Sequence, residues 1–122
     1  MRKSEKKIMR GNIRELVQEN PSRKGWFIGH FIKPDHPFHT KGFEVKWREL
    51  RKGWKKEGKL ENDTKTLVIL IEGRFRIRFK ETGKSIVLSK KGDFVYYKTT
   101  PHLGEALEKT LIIVIRWPSL KL

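Results

Sequence analysis

The clearest pattern in the chain lies between Arg74 and Lys80, where Arg74, Arg76, Arg78 and Lys80 alternate with Phe75, Ile77 and Phe79. A period of two predicts a strand with one face in a core and the other in water. Glu81-Thr82-Gly83-Lys84 follows it and reads as a hairpin turn, with Gly83 where the backbone needs positive φ. Thr66 to Ile71 is continuously apolar, as expected for a strand in a barrel wall. Trp26–Ile32, Phe43–Leu50, Ile86–Leu88, Phe94–Lys98 and Thr110–Trp117 are further β-rich segments, which brings the expectation to about eight short strands and hence a sandwich or barrel. Only the start of the chain has helical spacing. Ile8, Met9, Ile13, Leu16 and Val17 predict a helix over residues 5–19, ended by Asn20-Pro21-Ser22. The pattern therefore predicts an all-β fold with a short N-terminal helix, divided into a basic segment over residues 1–24 and a barrel over residues 25–122.

Composition narrows this. A chain of 122 residues suits one domain with a single core. Without cysteine there are no disulfides, thiolate metal ligands or cysteine nucleophiles. No apolar run reaches the ~18 residues that span a bilayer, and the charged start MRKSEKKIMRGN lacks the apolar stretch of a secretory signal. The expectation is a cytoplasmic protein with no membrane contact. The net charge is +15, an excess that attracts nucleic acid or anionic metabolites. A Lys/Arg/Glu-rich, cysteine-free composition is also thermophile-like. The excess is spread along the chain: residues 1–24 and residues 66–98 each hold eight basic and three acidic groups. No basic arm stands apart from the rest.

Candidate chemistry is sparse. His30 sits among the apolar residues of Trp26–Ile32. His36 and His39 share the loop PDHPFHT with Asp35, three donors that could converge on a metal. His102 follows Pro101 after the Phe94–Lys98 segment. The stripe Arg74, Arg76, Arg78 and Lys80 could track a phosphate backbone, or be a solvated face with cross-strand ion pairs. Aromatics interleave with basic residues at Lys46-Trp47-Arg48, Lys52-Gly53-Trp54-Lys55 and Tyr96-Tyr97-Lys98, a pattern that suits base stacking or, more simply, core filling. Gly83-Lys84-Ser85 is not a phosphate loop, since Arg78 stands where the earlier glycine is required. There is no G-x-S-x-G elbow and no evident carboxylate pair for acid–base work.

The stretch Gly92-Asp93-Phe94-Val95-Tyr96-Tyr97-Lys98-Thr99-Thr100-Pro101-His102, preceded by Ile71-Glu72-Gly73 and followed by Thr110–Trp117, resembles the second half of a cupin. Trp26 to Ile32, Glu44 to Trp47, Thr66 to Phe75 and Arg116 to Ser119 resemble small prokaryotic cupin-like proteins of the RmlC-like kind. The resemblance implies a jelly-roll barrel with a pocket at its mouth. The first cupin motif, G-x5-H-x-H-x3,4-E-x6-G, begins and ends here at Gly53 and Gly73 but holds Lys59, Glu61 and Thr66 at the ligand positions. The second, G-x5-P-x-G-x2-H-x3-N, keeps Gly92 and His102, one residue short, with Lys98 and Thr100 for its proline and glycine. One of the four usual metal ligands remains, so neither a metal nor another cofactor is expected. The mouth is expected to gather His30, Lys46, Trp47, Tyr97, His102 and Arg116 around an anionic or polar small molecule, with the direction of Lys46 open by one register step. The alternatives are nucleic-acid binding through the basic surface and a metal-dependent cupin enzyme using non-motif histidines. A homodimer paired through an edge strand or the N-terminal segment is a further expectation.

Overall fold

The computed structural model describes residues 8–58, 64–98 and 100–119. Helix α1 is Ile13–Glu19, shorter than the spacing predicted. The Asn12 side chain caps it by accepting the Glu15 N–H at 3.0 Å, so Ile8 and Met9 precede the helix and lie exposed; residues 5–7 of the predicted helix fall outside the described residues. One 3-10 turn, Pro21–Arg23, leads into the sheets.

Nine strands follow among the described residues: β1 Trp26–Ile28, β2 Glu44–Leu50, β3 Lys55–Gly58, β4 Lys65–Glu72, β5 Phe75–Phe79, β6 Ser85–Leu88, β7 Phe94–Lys98, β8 His102–Ala106 and β9 Thr110–Trp117. β1 stops four residues short of the predicted Ile32. At Gly29 the chain turns back, its N–H donating to Phe38 and its carbonyl accepting from Thr40, and a Cβ there would lie 2.5 Å from the Phe31 ring. β5 begins at Phe75, so Arg74 sits in the preceding turn rather than in the strand. β3 and β8 carry no apolar alternation. β3 is an exposed edge strand, and β8 turns Gly104 and Ala106 toward the core, where large neighbours leave no room: a Cβ on Gly104 would meet the Phe75 ring at 3.0 Å.

The strands form two antiparallel sheets, one ordered β1-β2-β9-β4-β7 and one ordered β3-β8-β5-β6. Between them lie Leu50, Val68, Leu70, Phe75, Ile77, Phe79, Leu88, Val95, Ala106, Ile112 and Val114. The alternation of β5 is realised directly, with Phe75, Ile77 and Phe79 buried and Arg76 paired outside with Glu105, its opposite on β8. Register then builds a polar end onto this core. In the first sheet Lys46 faces Val114 and Val114 faces Val68. The next inward row runs Glu44, Arg116, Thr66, Tyr97 across four strands. In the second sheet His102 lies between Gly58 and Phe79. The Tyr97 and His102 rings, 4.7 Å apart, bring these two ends together.

Candidate ligand-binding site at the barrel mouth

A cavity of about 300 Å³ opens at this polar end, walled by Lys46, Arg116, Tyr97 and His102 over a floor that includes Trp54 and Phe75. β2 delivers Lys46 because its inward positions are Glu44, Lys46, Arg48 and Leu50. This settles the register step left open by the sequence: Lys46 faces inward. Among the described residues Lys46 makes no hydrogen bond or ion pair; its Nζ lies 4.7 Å from the centroid of the Trp26 ring. Burial, then Arg116, Arg48 and Lys56, pull its pKa down to about 7, with Glu44 opposing.

Arg116 stacks on the same indole at 4.6 Å. Its Nη1 donates to Glu44 Oε2 at 3.1 Å, while its Nε is buried with no partner. Glu44 is itself fixed from behind. The buried Ser119 hydroxyl donates to Glu44 Oε1 at 2.8 Å and accepts the His30 N–H at 3.0 Å. With that proton committed to the carboxylate, His30 Nδ1–H donates to Ser119 Oγ across 2.7 Å. His30 therefore ends in a supporting position: it holds the C-terminal segment against Glu44, which holds Arg116.

His102 Nδ1–H donates to the Thr100 carbonyl at 2.9 Å. That leaves Nε2 as the acceptor, 3.3 Å from the Tyr97 hydroxyl. Burial lowers the His102 pKa, the Thr100 carbonyl opposes this, and Arg116 and Lys46 lower it further. Burial raises Tyr97 to about 12, with Arg116 opposing. Near neutral pH the pair is thus an uncharged imidazole and a protonated phenol. Gly58 makes room for the ring, since a Cβ there would lie 2.6 Å from His102 Nε2.

Four of the six expected residues, Lys46, Tyr97, His102 and Arg116, meet in one cavity. His30 reaches it only through Ser119 and Glu44. Trp47 does not join: side chains alternate along β2, so with Lys46 inward Trp47 points out, where its Nε1 donates to Glu49 at 3.0 Å. Glu44, Trp54 and Gly58 were not among the site residues expected from the sequence. Glu44 could have been found, because it shares the parity of Lys46; Trp54 and Gly58 enter only through pairing of the two sheets.

The residues at the mouth do not suit the metal that many jelly rolls of this kind carry. His102 is the one imidazole lining the cavity among the described residues, and Lys46 and Arg116 beside it would repel a divalent cation. Lys59 and Glu61 fall outside the described residues. Thr66 is fully buried beside Arg116 and Tyr97, its Oγ1 unpartnered. In the loop, His36 Nδ1 accepts the Phe38 N–H at 2.9 Å and His39 Nδ1 donates to the Ile32 carbonyl at 2.7 Å. Asp35, His36 and His39 do not form a three-donor cluster.

On the outer face of the four-stranded sheet, Arg76 is engaged by Glu105 and Arg78 is exposed, while Arg74 lies before β5 and Lys80, in the turn after it, is engaged by Glu57 at 2.7 Å. No helix among the described residues is long and apolar enough to cross a membrane.

No protein-family model matches the sequence, and no curated protein does. Solved structures do match. Ectoine synthase from P. lautus superposes with a TM-score of 0.69 at 16% identity, over 93% of this chain and 80% of that one. KdgF from Halomonas sp. gives 0.60 at 22% identity over 68% and 74%. An RmlC-like cupin protein from Desulfovibrio desulfuricans gives 0.58 at 14% over 66% and 76%. At these identities the likeness is one of fold, and it agrees with the two antiparallel sheets: the chain has a cupin-like jelly-roll fold.

Proposed function

We propose that the domain is a cupin-like binding protein that takes a small anionic molecule into its mouth without a resident metal or other cofactor, in a cytoplasmic setting. The observation that carries this reading is the Lys46 amine, held in the cavity without a hydrogen-bonding partner beside Arg116, whose buried Nε is also unpartnered. Buried polar groups are normally satisfied. The nearby carboxylates are already engaged, Glu44 by Arg116 and Ser119 and Glu57 by Lys80. An acid group between Lys46 and Arg116 would complete both. Tyr97 and His102 would then supply one donor and one acceptor for a polar group on the same ligand. The volume is at the small end of ligand pockets, which favours a compact acid.

Binding would carry a proton signature. An anion beside Lys46 stabilises the ammonium and raises its pKa, so the complex takes up a proton when formed above pH 7. Affinity should be level below pH 7 and fall as pH rises beyond it. Titration calorimetry with citrate, pyruvate and inorganic phosphate, each in two buffers of different ionisation enthalpy, measures affinity and proton uptake together. Binding that weakens above pH 7 and is lost in a folded Lys46→Met variant supports the reading. Absence of measurable binding by all three probes at millimolar concentration, or binding indifferent to Lys46→Met, overturns it.

A further inference from the structure

Lys46 has the surroundings of a nucleophile as well as those of an anion receptor. Among the described residues two lysines line the cavity, Lys56 exposed on the edge strand β3 and Lys46 on the inward row of β2. The Lys46 Nζ lies 4.7 Å from the centroid of the Trp26 ring and has no hydrogen-bonding or ion-pairing partner among those residues. Val68, Ile112 and Val114 add apolar wall to the same cavity. Such a setting takes water from an amine without giving it a counter-ion. Arg116 from β9, Arg48 from its own strand and Lys56 from β3 add like charge, and the carboxylate that opposes them, Glu44, is already engaged by Arg116 and Ser119. Near neutral pH a large share of Lys46 is therefore the free base. The free base attacks carbonyl carbon; the ammonium of an ordinary surface lysine has no lone pair with which to do so.

We propose that the anion taken into the mouth is a compact 2-oxo acid and that Lys46 condenses with its ketone to form an imine, a step that rests on the reading of the mouth as an anion site. Arg116 selects the acid. It packs on the same indole as Lys46, and it is the next inward residue of β9 after Val114, which faces Lys46. In a 2-oxo acid the ketone carbon is bonded directly to the carboxylate carbon, so a carboxylate held by Arg116 offers its ketone to the neighbouring inward position. A simple carboxylate gives the amine nothing to attack, and a simple ketone gives the guanidinium nothing to hold. The Nζ lone pair forms the C–N bond as the carbonyl π pair moves onto oxygen. The Tyr97 hydroxyl protonates that oxygen, His102 Nε2 takes one proton from the nitrogen, and the hydrogen bond between the two side chains returns it to Tyr97. The carbinolamine oxygen then takes a proton from solvent and leaves as water while the nitrogen lone pair closes the C=N bond. Each cationic imine formed from the free base releases one water and consumes one proton, with no change of oxidation state.

Trapping with pyruvate and sodium cyanoborohydride at pH 7, followed by peptide mass mapping of the full chain, tests it. Reduction fixes the imine as a carboxyethyl group on the lysine that formed it. Lys46 should be labelled at least about tenfold faster than any other lysine, because ordinary lysines are almost wholly protonated at this pH. Acetone, which keeps the ketone and lacks the carboxylate, should label Lys46 at least tenfold more slowly than pyruvate. Propionate, which keeps the carboxylate and lacks the ketone, should protect Lys46 from pyruvate. These comparisons use the parent protein, so they do not depend on the folding of a variant. Labelling spread evenly over the lysines overturns the proposal, and so does equal labelling of Lys46 by acetone and pyruvate. Pyruvate that binds by calorimetry but is never trapped on Lys46 overturns the imine alone and leaves the anion site standing. Pyruvate that neither binds nor is trapped, with citrate and phosphate also unbound, overturns both.

Discussion

Lys46 is the side chain whose environment most departs from its chemistry. An ammonium pressed against Trp26 and facing Arg116 has lost water without gaining a carboxylate, which is why its pKa falls to about 7. The sign of the stability effect follows. Between pH 7 and 10.5 the unfolded chain keeps this proton and the folded chain releases it, so folding is penalised fully below pH 7 and the penalty fades as pH rises toward 10.5. Lys46→Met removes the penalty. Its stabilisation relative to the parent should be larger at pH 6 than at pH 10.5 by on the order of 3 kcal/mol, measured by urea denaturation at the two pH values. An equal difference at both would mean that the amine is as well solvated in the fold as in the unfolded chain. A residue that costs stability in the free protein and gains a counter-charge in the complex is the kind of trade expected at a binding site.

At the scale of elements, the site depends on two strands with almost no hydrophobic signal. β3 presents Gly58 to the imidazole of His102, and β8 carries that imidazole at its first position rather than at the exit of the preceding strand. Gly58→Ala would put a methyl 2.6 Å from His102 Nε2, in a cavity wall where the ring is also held by Tyr97 and the Thr100 carbonyl. The ring or the edge strand must move, at a cost of about 1–2 kcal/mol. The Tyr97–His102 hydrogen bond should be lost as a result, visible as a change in the His102 imidazole nitrogen shifts by NMR. Unchanged shifts in a folded Gly58→Ala would mean that β3 does not confine the ring. The strands with a strong pattern, β4 and β5, were legible because each is pinned by apolar packing. β3 and β8 were not, because an edge strand needs no buried face and a strand packed under large aromatics needs small residues instead of apolar ones.

At the scale of the whole molecule, the charge raises the question of a polyanion partner. The four basic residues from Arg74 to Lys80 looked like one stripe, yet Arg76 and Lys80 are committed to Glu105 and Glu57 and Arg74 lies outside the strand. A phosphate backbone would have to displace those carboxylates. Replacing Arg74, Arg76 and Arg78 together with serine should therefore leave retention on single- and double-stranded DNA, and its salt slope, within a factor of about two of the parent. A drop in affinity together with a flatter slope would instead establish this face as a nucleic-acid track.

The sequence alone determined what depends on local pattern. A period of two at Arg74–Lys80, a continuous apolar run at Thr66–Ile71 and a glycine at the following turn dictate strands and hairpins, because burial of alternate side chains is the main free-energy term in a sheet. Motif remnants at Gly92 and His102 were enough to suggest the jelly roll. What the chain could not decide by itself was which face of β2 turns inward, since Lys46 and Trp47 are both plausible wall residues and a one-residue step exchanges them. Only the pairing of β2 with β9, and of β9 with β4, decided that Lys46 and Arg116 share a cavity while Trp47 lies outside. The same pairing set Leu67 beside Ile115 and Ile69 beside Ile113 on the outward face of the five-stranded sheet. Each is unremarkable within its own strand; long-range register makes them neighbours, and local pattern carries no information about register between strands distant in the chain.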